Sequence, residues 1–320
     1  MHLPILHHYP ESPYAFKVAL ALRLNGVAFY SHLVPREPPR PATEALTGSY
    51  RRIPVLQVGN SVWCDSAVIL DEFAAKTSDP LMATAFSAWC DKVLFPATAA
   101  LLPWESLPDS LLQDRAKLMN RDPKKMLENA QKARPHFLTQ VIAGLSQLEA
   151  HLNQNKTPWL CGQSSPTLCD IHAAMNVFFL RGVKGVGVNG RQVLEGFPAI
   201  KAWYARLLDA AGGMKNLVRG SAGVVSEEEV MKIAEDACLR AESICLTPSE
   251  DTVLGIKAGD LVTVSPDDYG KVGIVGQVVF ISNTKLVIKH DVKSDKPGLW
   301  TTLHFPRTGY TVRKMKQSKL

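Results

Sequence analysis

The sequence predicts a chain of three parts: an α/β segment, an all-helical segment and a small all-β segment. Short apolar runs alternate with capped helical patterns over residues 1–76, and apolar residues recur at helical spacing over 81–246. After residue 246 the pattern changes to short runs of strand type between Gly, Asn and Asp turns. We therefore predict domains at 1–76, 81–246 and 250–320, with a linker at 77–80.

Composition excludes several classes of protein. A chain of 320 residues with 46% hydrophobic residues can bury a core, and no apolar stretch is long enough to insert into a membrane. The 6 cysteines form no Cys-x-x-Cys pair and the 9 histidines show no metal-ligand spacing, which predicts free thiols in a reducing compartment and no metal. The net charge is +6, but the basic residues are not interleaved with aromatic ones. We therefore expect no nucleic-acid partner.

The first strand ends at His7 and His8, and a helix follows it. We expect one of these two imidazoles to point inward and the other outward. Ser12 stands at the N-cap position of the helix, Pro13 at its first helical position, and Gly26 at its end. A hydroxyl at a helix N-terminus can hold a thiolate by hydrogen bonding, in the positive field of the helix. Two interpretations of Ser12 therefore stay open, a helix cap and a contact to a thiol.

Two further patches have the chemistry of a peptide site. Pro54 interrupts an apolar run at 53–58 that otherwise predicts a strand, and proline is expected there only at an edge or a special bend. Asp65 and Ser66 precede a helical pattern at 67–73, where a helix N-terminus offers N–H groups to an anion. An Asp-Ser pair is also an ordinary helix cap, so this patch alone does not distinguish a peptide-binding site from a cap.

Taken together, the patches at 12–15, 53–55 and 65–66 resemble the glutathione transferase superfamily. Residues 159–162, followed by Thr167 and Asp170, are similar to the helical-domain signature of that superfamily, and this pair forms a variant of the capping box. The resemblance covers residues 3–215 and implies a thioredoxin-like N-terminal domain followed by an all-helical transferase domain.

The resemblance also implies a site for glutathione, the γ-glutamyl tripeptide, as co-substrate. Pro54 would follow a cis peptide bond, and the backbone of Ile53 would pair with the cysteinyl part. Asp65, which replaces the usual Glu, would accept from the α-ammonium group, and Ser66 would donate to the α-carboxylate. The implied site residues are Ser12 for the thiol and Arg52, Ile53, Pro54, Asp65 and Ser66 for the peptide.

The second substrate is expected to be a small apolar molecule. Residues 102–108 break the helical pattern and can overhang a cleft, and Tyr14, Phe95 and Trp104 are candidate walls, with core packing an equal alternative for Trp104. The family implies conjugation of glutathione to an apolar electrophile in secondary metabolism, or cis–trans isomerisation of a conjugated metabolite. A non-catalytic scaffold or regulatory protein is the third hypothesis. The resemblance allows a homodimer.

The segment after residue 213 has no counterpart in ordinary transferases and resembles the layout of fungal biosynthetic transferases. Ser226 and Glu229 form a capping box for a helix to about residue 243. Residues 260–270 resemble the opening of a small SH3-like barrel. We expect this β extension, residues 250–320, to pack on the helical domain and to supply no catalytic side chain.

The last three residues match a targeting signal. Ser318, Lys319 and Leu320 form the tripeptide that the peroxisomal import receptor recognises at a C-terminus. We therefore expect a peroxisomal location, and a cytoplasmic one if the match is a coincidence.

Overall fold

The protein is described from a computed structural model. The described residues are 2–74, 79–154, 157–161, 163–185, 187–241, 246–293 and 298–315. The predicted linker at 77–80 lies partly outside them, and the tripeptide Ser318-Lys319-Leu320 lies wholly outside them, so the peroxisomal address stays a prediction.

The strands and helices follow the predicted order of segments. The strands are β1 (Ile5–His8), β2 (Tyr30–Leu33), β3 (Val55–Val58), β4 (Ser61–Cys64), β5 (Lys184–Gly185), β6 (Val188–Asn189), β7 (Gly223–Val224), β8 (Glu250–Asp251), β9 (Ile256–Lys257), β10 (Leu261–Pro266), β11 (Ile274–Ile281), β12 (Lys285–Asp291), β13 (Trp300–Pro306) and β14 (Tyr310–Lys314). The helices are α1 (Pro13–Leu24), α2 (Pro41–Thr47), α3 (Ser66–Phe73), α4 (Pro80–Trp89), α5 (Phe95–Ala99), α6 (Asp109–Leu118), α7 (Pro123–Gln154), α8 (Leu168–Gly182), α9 (Gly190–Glu195), α10 (Pro198–Ala210), α11 (Met214–Arg219) and α12 (Glu227–Arg240).

The chain forms two compact units. The sheet unit contains the described residues of 1–9, 28–72 and 219–320, and the helical unit contains those of 10–27 and 73–218. These units cut across the predicted segments, because α1 groups with the helices whereas α12 and the C-terminal strands group with β1–β4. The division into domains at 1–76, 81–246 and 250–320 stays a prediction.

A single large sheet runs through the sheet unit, with the strand order β14-β10-β11-β12-β13-β4-β3-β1-β2-β7 in the described part of the chain. β1 and β2 are parallel, β3 and β4 are antiparallel, and β13 joins β4 in parallel with Leu303 opposite Val62. The β extension therefore continues the thioredoxin-like sheet. The expectation that the extension packs on the helical domain missed this pairing, because strand periodicity does not reveal which edge a strand will meet.

The two ends of the sheet unit also share a core. Tyr50, Val55 and Val62 from the first 72 residues pack in one buried cluster with residues of strands β10–β14, among them Phe305. The apolar surface that β10–β14 bury is thus covered partly by the N-terminal strands. The β10–β14 strands follow the order of an antiparallel meander closed by β14 on β10, and the SH3-like barrel stays a prediction.

The helical unit is built around α8. Phe16 of α1 stacks on Phe178 of α8 at 4.2 Å between ring centroids. The carboxylate of Asp170 in the first turn of α8 is wholly buried and accepts from the backbone N–H groups of Thr167 at 2.9 Å and Leu160 at 3.0 Å, and from the indole of Trp203 at 2.8 Å. The predicted capping box of Thr167 and Asp170 is confirmed.

The predicted helical segment begins with an interrupted helix over residues 80–99. It consists of α4, a π-helical turn over Cys90–Leu94, and α5. The helix α6 after the 102–108 break was not predicted from the sequence. None of the helices described here is both long enough and apolar enough to span a bilayer.

Candidate active site

Two of the predicted peptide-binding patches lie at the same end of the β3–β4 pair in the sheet unit. Val55 at the start of β3 pairs with Cys64 at the end of β4. Pro54, which precedes Val55, and Asp65, which follows Cys64, therefore both lie just beyond that pair. The peptide bond between Ile53 and Pro54 is cis. Pro54 precedes β3 and does not lie within the strand, because a residue without an N–H group cannot take part in the ladder and the strand begins at Val55.

Asp65 and Ser66 form the N-terminus of α3. Asp65 has a φ of 123°, a conformation that residues with a side chain rarely adopt. Its Oδ1 accepts from the N–H group of Ala67 at 2.8 Å, and Ser66, which is 7% exposed, is the first helical residue. A carboxylate that caps a helix beside a hydroxyl can accept from an ammonium group while the hydroxyl donates to a carboxylate. These are the two charged groups of a γ-glutamyl residue.

The second oxygen of Asp65 contacts the β extension. Oδ2 accepts from the hydroxyl of Tyr310 at 3.0 Å, and Tyr310 lies 2.7 Å from the hydroxyl of Tyr50. Burial, together with the nearby Asp65 carboxylate, raises the pKa of both tyrosines well above the usual value. Both hydroxyls therefore keep their protons, and Tyr310 acts as a donor to Asp65. The expectation that the extension supplies no catalytic side chain stays a prediction, because Tyr310 contacts Asp65 and not a reacting group.

Arg52 is also bound by the β extension. Its guanidinium forms an ion pair with Asp268, donates to the carbonyl of Tyr269 at 2.7 Å, and lies 4.5 Å from the centre of the Tyr269 ring. These contacts anchor the residue that precedes Ile53. The role of Arg52 in binding the glycyl carboxylate stays a prediction.

The two histidines of β1 are both buried, which corrects the expectation of one inward and one outward ring. His7 bonds to Thr43 at 2.9 Å and to Gln57 at 3.0 Å, and His8 bonds to Ser31 at 2.8 Å. Burial lowers the pKa of His7 to about 3 and that of His8 to about 4. The expectation assumed a sheet with one solvated face, whereas β1 is an inner strand buried on both faces.

Ser12 lies in the helical unit and caps α1. Its Oγ accepts from the N–H group of Ala15 at 3.2 Å, and the residue is 2% exposed. A hydroxyl has one donor and two acceptor positions, and the cap uses an acceptor. The cap is thus compatible with donation of the O–H hydrogen to a sulfur atom, and the two interpretations of Ser12 do not exclude each other.

Two of the predicted substrate residues meet in the helical unit. The ring of Tyr14 packs edge-on against Phe95 at 5.1 Å between centroids, and Phe95 lies 5.4 Å from Phe179. Trp104 is buried and begins a short 3₁₀ turn, followed by Glu105, which forms an ion pair with Arg134 at 2.8 Å. The roles of Tyr14, Phe95 and Trp104 in a substrate pocket stay predictions.

A buried charge cluster lies beside Tyr14. Lys17, whose side chain is 1% exposed, forms an ion pair with Asp91 of the π-helical turn at 2.9 Å and lies 3.4 Å from His172 of α8. The ammonium group is 5.0 Å from the centre of the Tyr14 ring. Burial and the charge of Lys17 lower the pKa of His172 to about 2, so this imidazole is neutral.

Sequence reasoning missed the residues that support the predicted site. Lys17 had a signal, since it is the only charge in an otherwise apolar run at 13–22, and a lysine there must be buried and paired. Asp268 and Tyr310, which contact Arg52 and Asp65, and Tyr50, which bonds to Tyr310, had no signal in the sequence. These contacts join residues that are far apart in the chain, so they depend on how the β extension meets the first strands.

Comparisons with known families agree with this architecture. A family model of the glutathione S-transferase N-terminal domain matches residues 6–80, and a domain of unknown function, DUF7962, matches residues 93–216. The crystal structure of a protein from Pseudomonas syringae described as similar to glutathione S-transferases matches with a TM-score of 0.70 and 27% identity, over 98% of this chain and 100% of that one. The N-terminal part of the chain, residues 6–80, therefore belongs to the glutathione S-transferase family, and the chain as a whole shares the fold of a protein similar to glutathione S-transferases.

Other solved structures of this superfamily match part of the chain. The β-etherase LigF of Sphingobium sp. strain SYK-6 matches with a TM-score of 0.50 and 17% identity, over 67% of this chain and 98% of that one. A glutathione transferase family member from Pseudomonas fluorescens pf-5 was crystallised with two glutathione molecules. It matches with a TM-score of 0.48 and 15% identity, over 68% of this chain and 93% of that one. A search of curated proteins finds no match.

Proposed function

We propose that the protein is a glutathione-dependent transferase that joins the thiol of glutathione to a small apolar electrophile. The observation that carries the proposal is the placement of Asp65 and Ser66 at the N-terminus of α3, at the same end of the β3–β4 pair as the cis bond between Ile53 and Pro54. An ammonium acceptor, a carboxylate donor and an extended backbone edge are the groups that a γ-glutamyl tripeptide requires. The match of residues 6–80 to the glutathione S-transferase N-terminal domain supports the same ligand.

Each proposed residue has a physical role. Asp65 accepts from the α-ammonium group, Ser66 and the first N–H groups of α3 donate to the α-carboxylate, and the backbone of Ile53 pairs with the cysteinyl residue. Ser12 donates its hydroxyl hydrogen to the sulfur and so favours the thiolate over the thiol. The thiol proton passes to solvent, the thiolate forms a bond to the electrophilic carbon, and the leaving group departs as an anion with the electron pair of the bond that breaks.

The aromatic pair of Tyr14 and Phe95 supports an apolar second substrate, because an electrophile with a ring or conjugated chain packs well against aromatic faces. Trp104 stays a proposed wall of the pocket for this second substrate.

Arg52 stays a proposed contact for the glycyl carboxylate of glutathione, through the donors that Asp268 and Tyr269 do not occupy. The expected place in secondary metabolism is part of this proposal.

Calorimetric titration of the full chain with reduced glutathione tests the proposal. We expect saturable binding of one glutathione per chain, and turnover of an aryl chloride activated by nitro groups with release of chloride. Absence of glutathione binding by the folded protein would overturn the transferase proposal and would favour the scaffold hypothesis. Binding without conjugation, together with glutathione-dependent conversion of a cis-enone to its trans form, would favour the isomerase.

A further inference from the structure

We propose that Tyr310 of the β extension is a positioning residue for glutathione, which holds the Asp65 carboxylate in the orientation that accepts the α-ammonium group of the γ-glutamyl residue. This inference rests on the proposed glutathione site at Asp65 and Ser66. It assigns to the extension a part in recognition of the co-substrate.

The direction of the hydrogen bonds follows from the chemistry of the three groups. A carboxylate can only accept, so the hydroxyl of Tyr310 donates its hydrogen to Oδ2 of Asp65. Tyr310 then has only acceptor positions left, so the hydroxyl of Tyr50, 2.7 Å away, is the donor in that pair. The result is a directed chain from Tyr50 through Tyr310 to Asp65, in which each bond polarises the next.

The hydrogen bonds from Tyr50 through Tyr310 fix the orientation of the Asp65 carboxylate. The carboxylate is held at both oxygens, by the N–H group of Ala67 on Oδ1 and by Tyr310 on Oδ2, and its plane is thereby fixed. Each carboxylate oxygen still has a second acceptor position for a ligand. An aspartate is one methylene shorter than a glutamate, so its reach depends more strongly on the orientation of the carboxylate.

The β extension holds this region at a second point. Asp268 and Tyr269, from the loop between β10 and β11, bind the guanidinium of Arg52. Arg52 precedes the cis bond between Ile53 and Pro54, where the cysteinyl part of the peptide is proposed to pair. Two separate contacts from residues 250–320 thus support the two halves of the proposed peptide site. Packing alone would not require a tyrosine hydroxyl to point at the carboxylate of Asp65.

The test compares Tyr310→Phe with Tyr50→Phe in the full chain. Both substitutions remove one hydroxyl from a buried ring of the same core, but only the first removes the bond to Asp65. The two ligands are reduced glutathione and its desamino analogue, glutaryl-cysteinylglycine, which lacks the α-ammonium group. Dissociation constants for both ligands are measured by calorimetry, and melting curves establish the folded fraction.

We expect the wild type to bind glutathione more tightly than the analogue. Tyr310→Phe should weaken glutathione binding roughly tenfold and leave the affinity for the analogue unchanged within a factor of about two, since a hydrogen bond to a charged group is at stake. Tyr50→Phe should change both affinities by less than about threefold. The ratio of the two affinities is independent of the folded fraction, so a purely structural loss cannot change it.

Three results would overturn the inference. Equal effects of Tyr310→Phe on both ligands would make the role of Tyr310 structural, and an unchanged affinity for glutathione would show that the hydroxyl is not needed. In both cases the proposed glutathione site would stand. Absence of glutathione binding by the wild type would instead remove the proposed function and this inference with it. If Tyr310→Phe does not fold, Tyr310→Met removes the same hydroxyl with a side chain that adapts to the core.

Discussion

Helices α1 and α3 both begin at residues of the proposed glutathione site, yet the two N-termini are built in different ways. Ser12 has an ordinary φ of −70° and caps α1 through a bond to Ala15, three residues away. Asp65 has a φ of 123° and accepts a hydrogen bond from the hydroxyl of Tyr310, 245 residues away. The first end is a local structure, and the second is a tertiary one.

This difference predicts how substitutions at each helix N-terminus will act. A local cap can be altered with a predictable change in helix stability, because its partners are neighbours in the chain. An end that is held from a distant strand couples its binding chemistry to the packing of that strand. We therefore expect substitutions at Ser12 to separate stability from chemistry, and substitutions around Asp65 to change ligand recognition.

The largest effect is expected at Ser12. Ser12→Gly should lower turnover about a hundredfold, because one preorganised hydrogen-bond donor to a developing or stored negative charge is lost. Stability should fall by only a few tenths of a kcal/mol, since glycine is tolerated at an N-cap. Steady-state rates and thermal melting measure the two quantities on the same sample.

Ser12→Ala is the matched control for the cap. It removes the same hydroxyl but should cost about 0.5–2 kcal/mol of unfolding free energy. Turnover should be equally low in both variants. Wild-type turnover in the glycine variant would leave Ser12 with a capping role alone and would direct attention to Tyr14, His7 or His8 as the thiol contact.

The next effect is expected at Asp65. Asp65→Asn keeps the size of the side chain and an oxygen that can cap Ala67, but it removes the negative charge. Glutathione affinity should fall about thirtyfold, within the range for a hydrogen bond between charged groups, whereas the affinity for the desamino analogue should stay the same. An equal loss for both ligands would place the α-ammonium group elsewhere.

Ser66→Ala should have a smaller effect on binding. The loss of one hydroxyl donor to the α-carboxylate should cost about 1 kcal/mol, or roughly fivefold in the dissociation constant for glutathione, while the backbone N–H groups of α3 continue to donate. Calorimetry measures the change. Unchanged affinities in both Ser66→Ala and Asp65→Asn would contradict the proposed site at this end of α3.

The smallest effect concerns the strand pairing that supports Asp65. His304 of β13 stacks on Trp63 of β4 at 4.4 Å, and burial lowers the pKa of His304 to about 3. Below about pH 6.5 the unfolded chain binds a proton at this residue and the folded chain does not, so the unfolding free energy falls as the pH falls towards 3. Each such histidine adds a slope of about 1.4 kcal/mol per pH unit at most.

His304→Phe should keep the stacking on Trp63. It should also remove the contribution of His304 to the change of the unfolding free energy with pH. Among the described residues neither ring nitrogen of His304 has a hydrogen-bond partner, so the apolar ring should be accepted at neutral pH. Denaturant unfolding at pH 7 and pH 5 gives the slopes. Equal slopes in the variant and the wild type would show that His304 is protonated in the folded protein.

The order of the elements was accessible to sequence reasoning because local chemistry sets it. The N-cap at Ser12 and the capping boxes at Thr167 and Ser226 use contacts between near neighbours, and each is present in the structure. The burial of both His7 and His8 was not accessible, since it depends on what covers each face of the sheet.

The sequence by itself thus determined the helix N-caps at Ser12, Thr167 and Ser226, the superfamily resemblance and the residue types that suit a γ-glutamyl peptide. Only the tertiary structure decided that β13 joins β4, that Tyr310 donates to Asp65, and that Asp268 holds Arg52. The physical reason is the range of the interactions. Caps and amphipathic faces are fixed within a few residues, whereas a strand edge accepts any partner that the remainder of the chain brings to it.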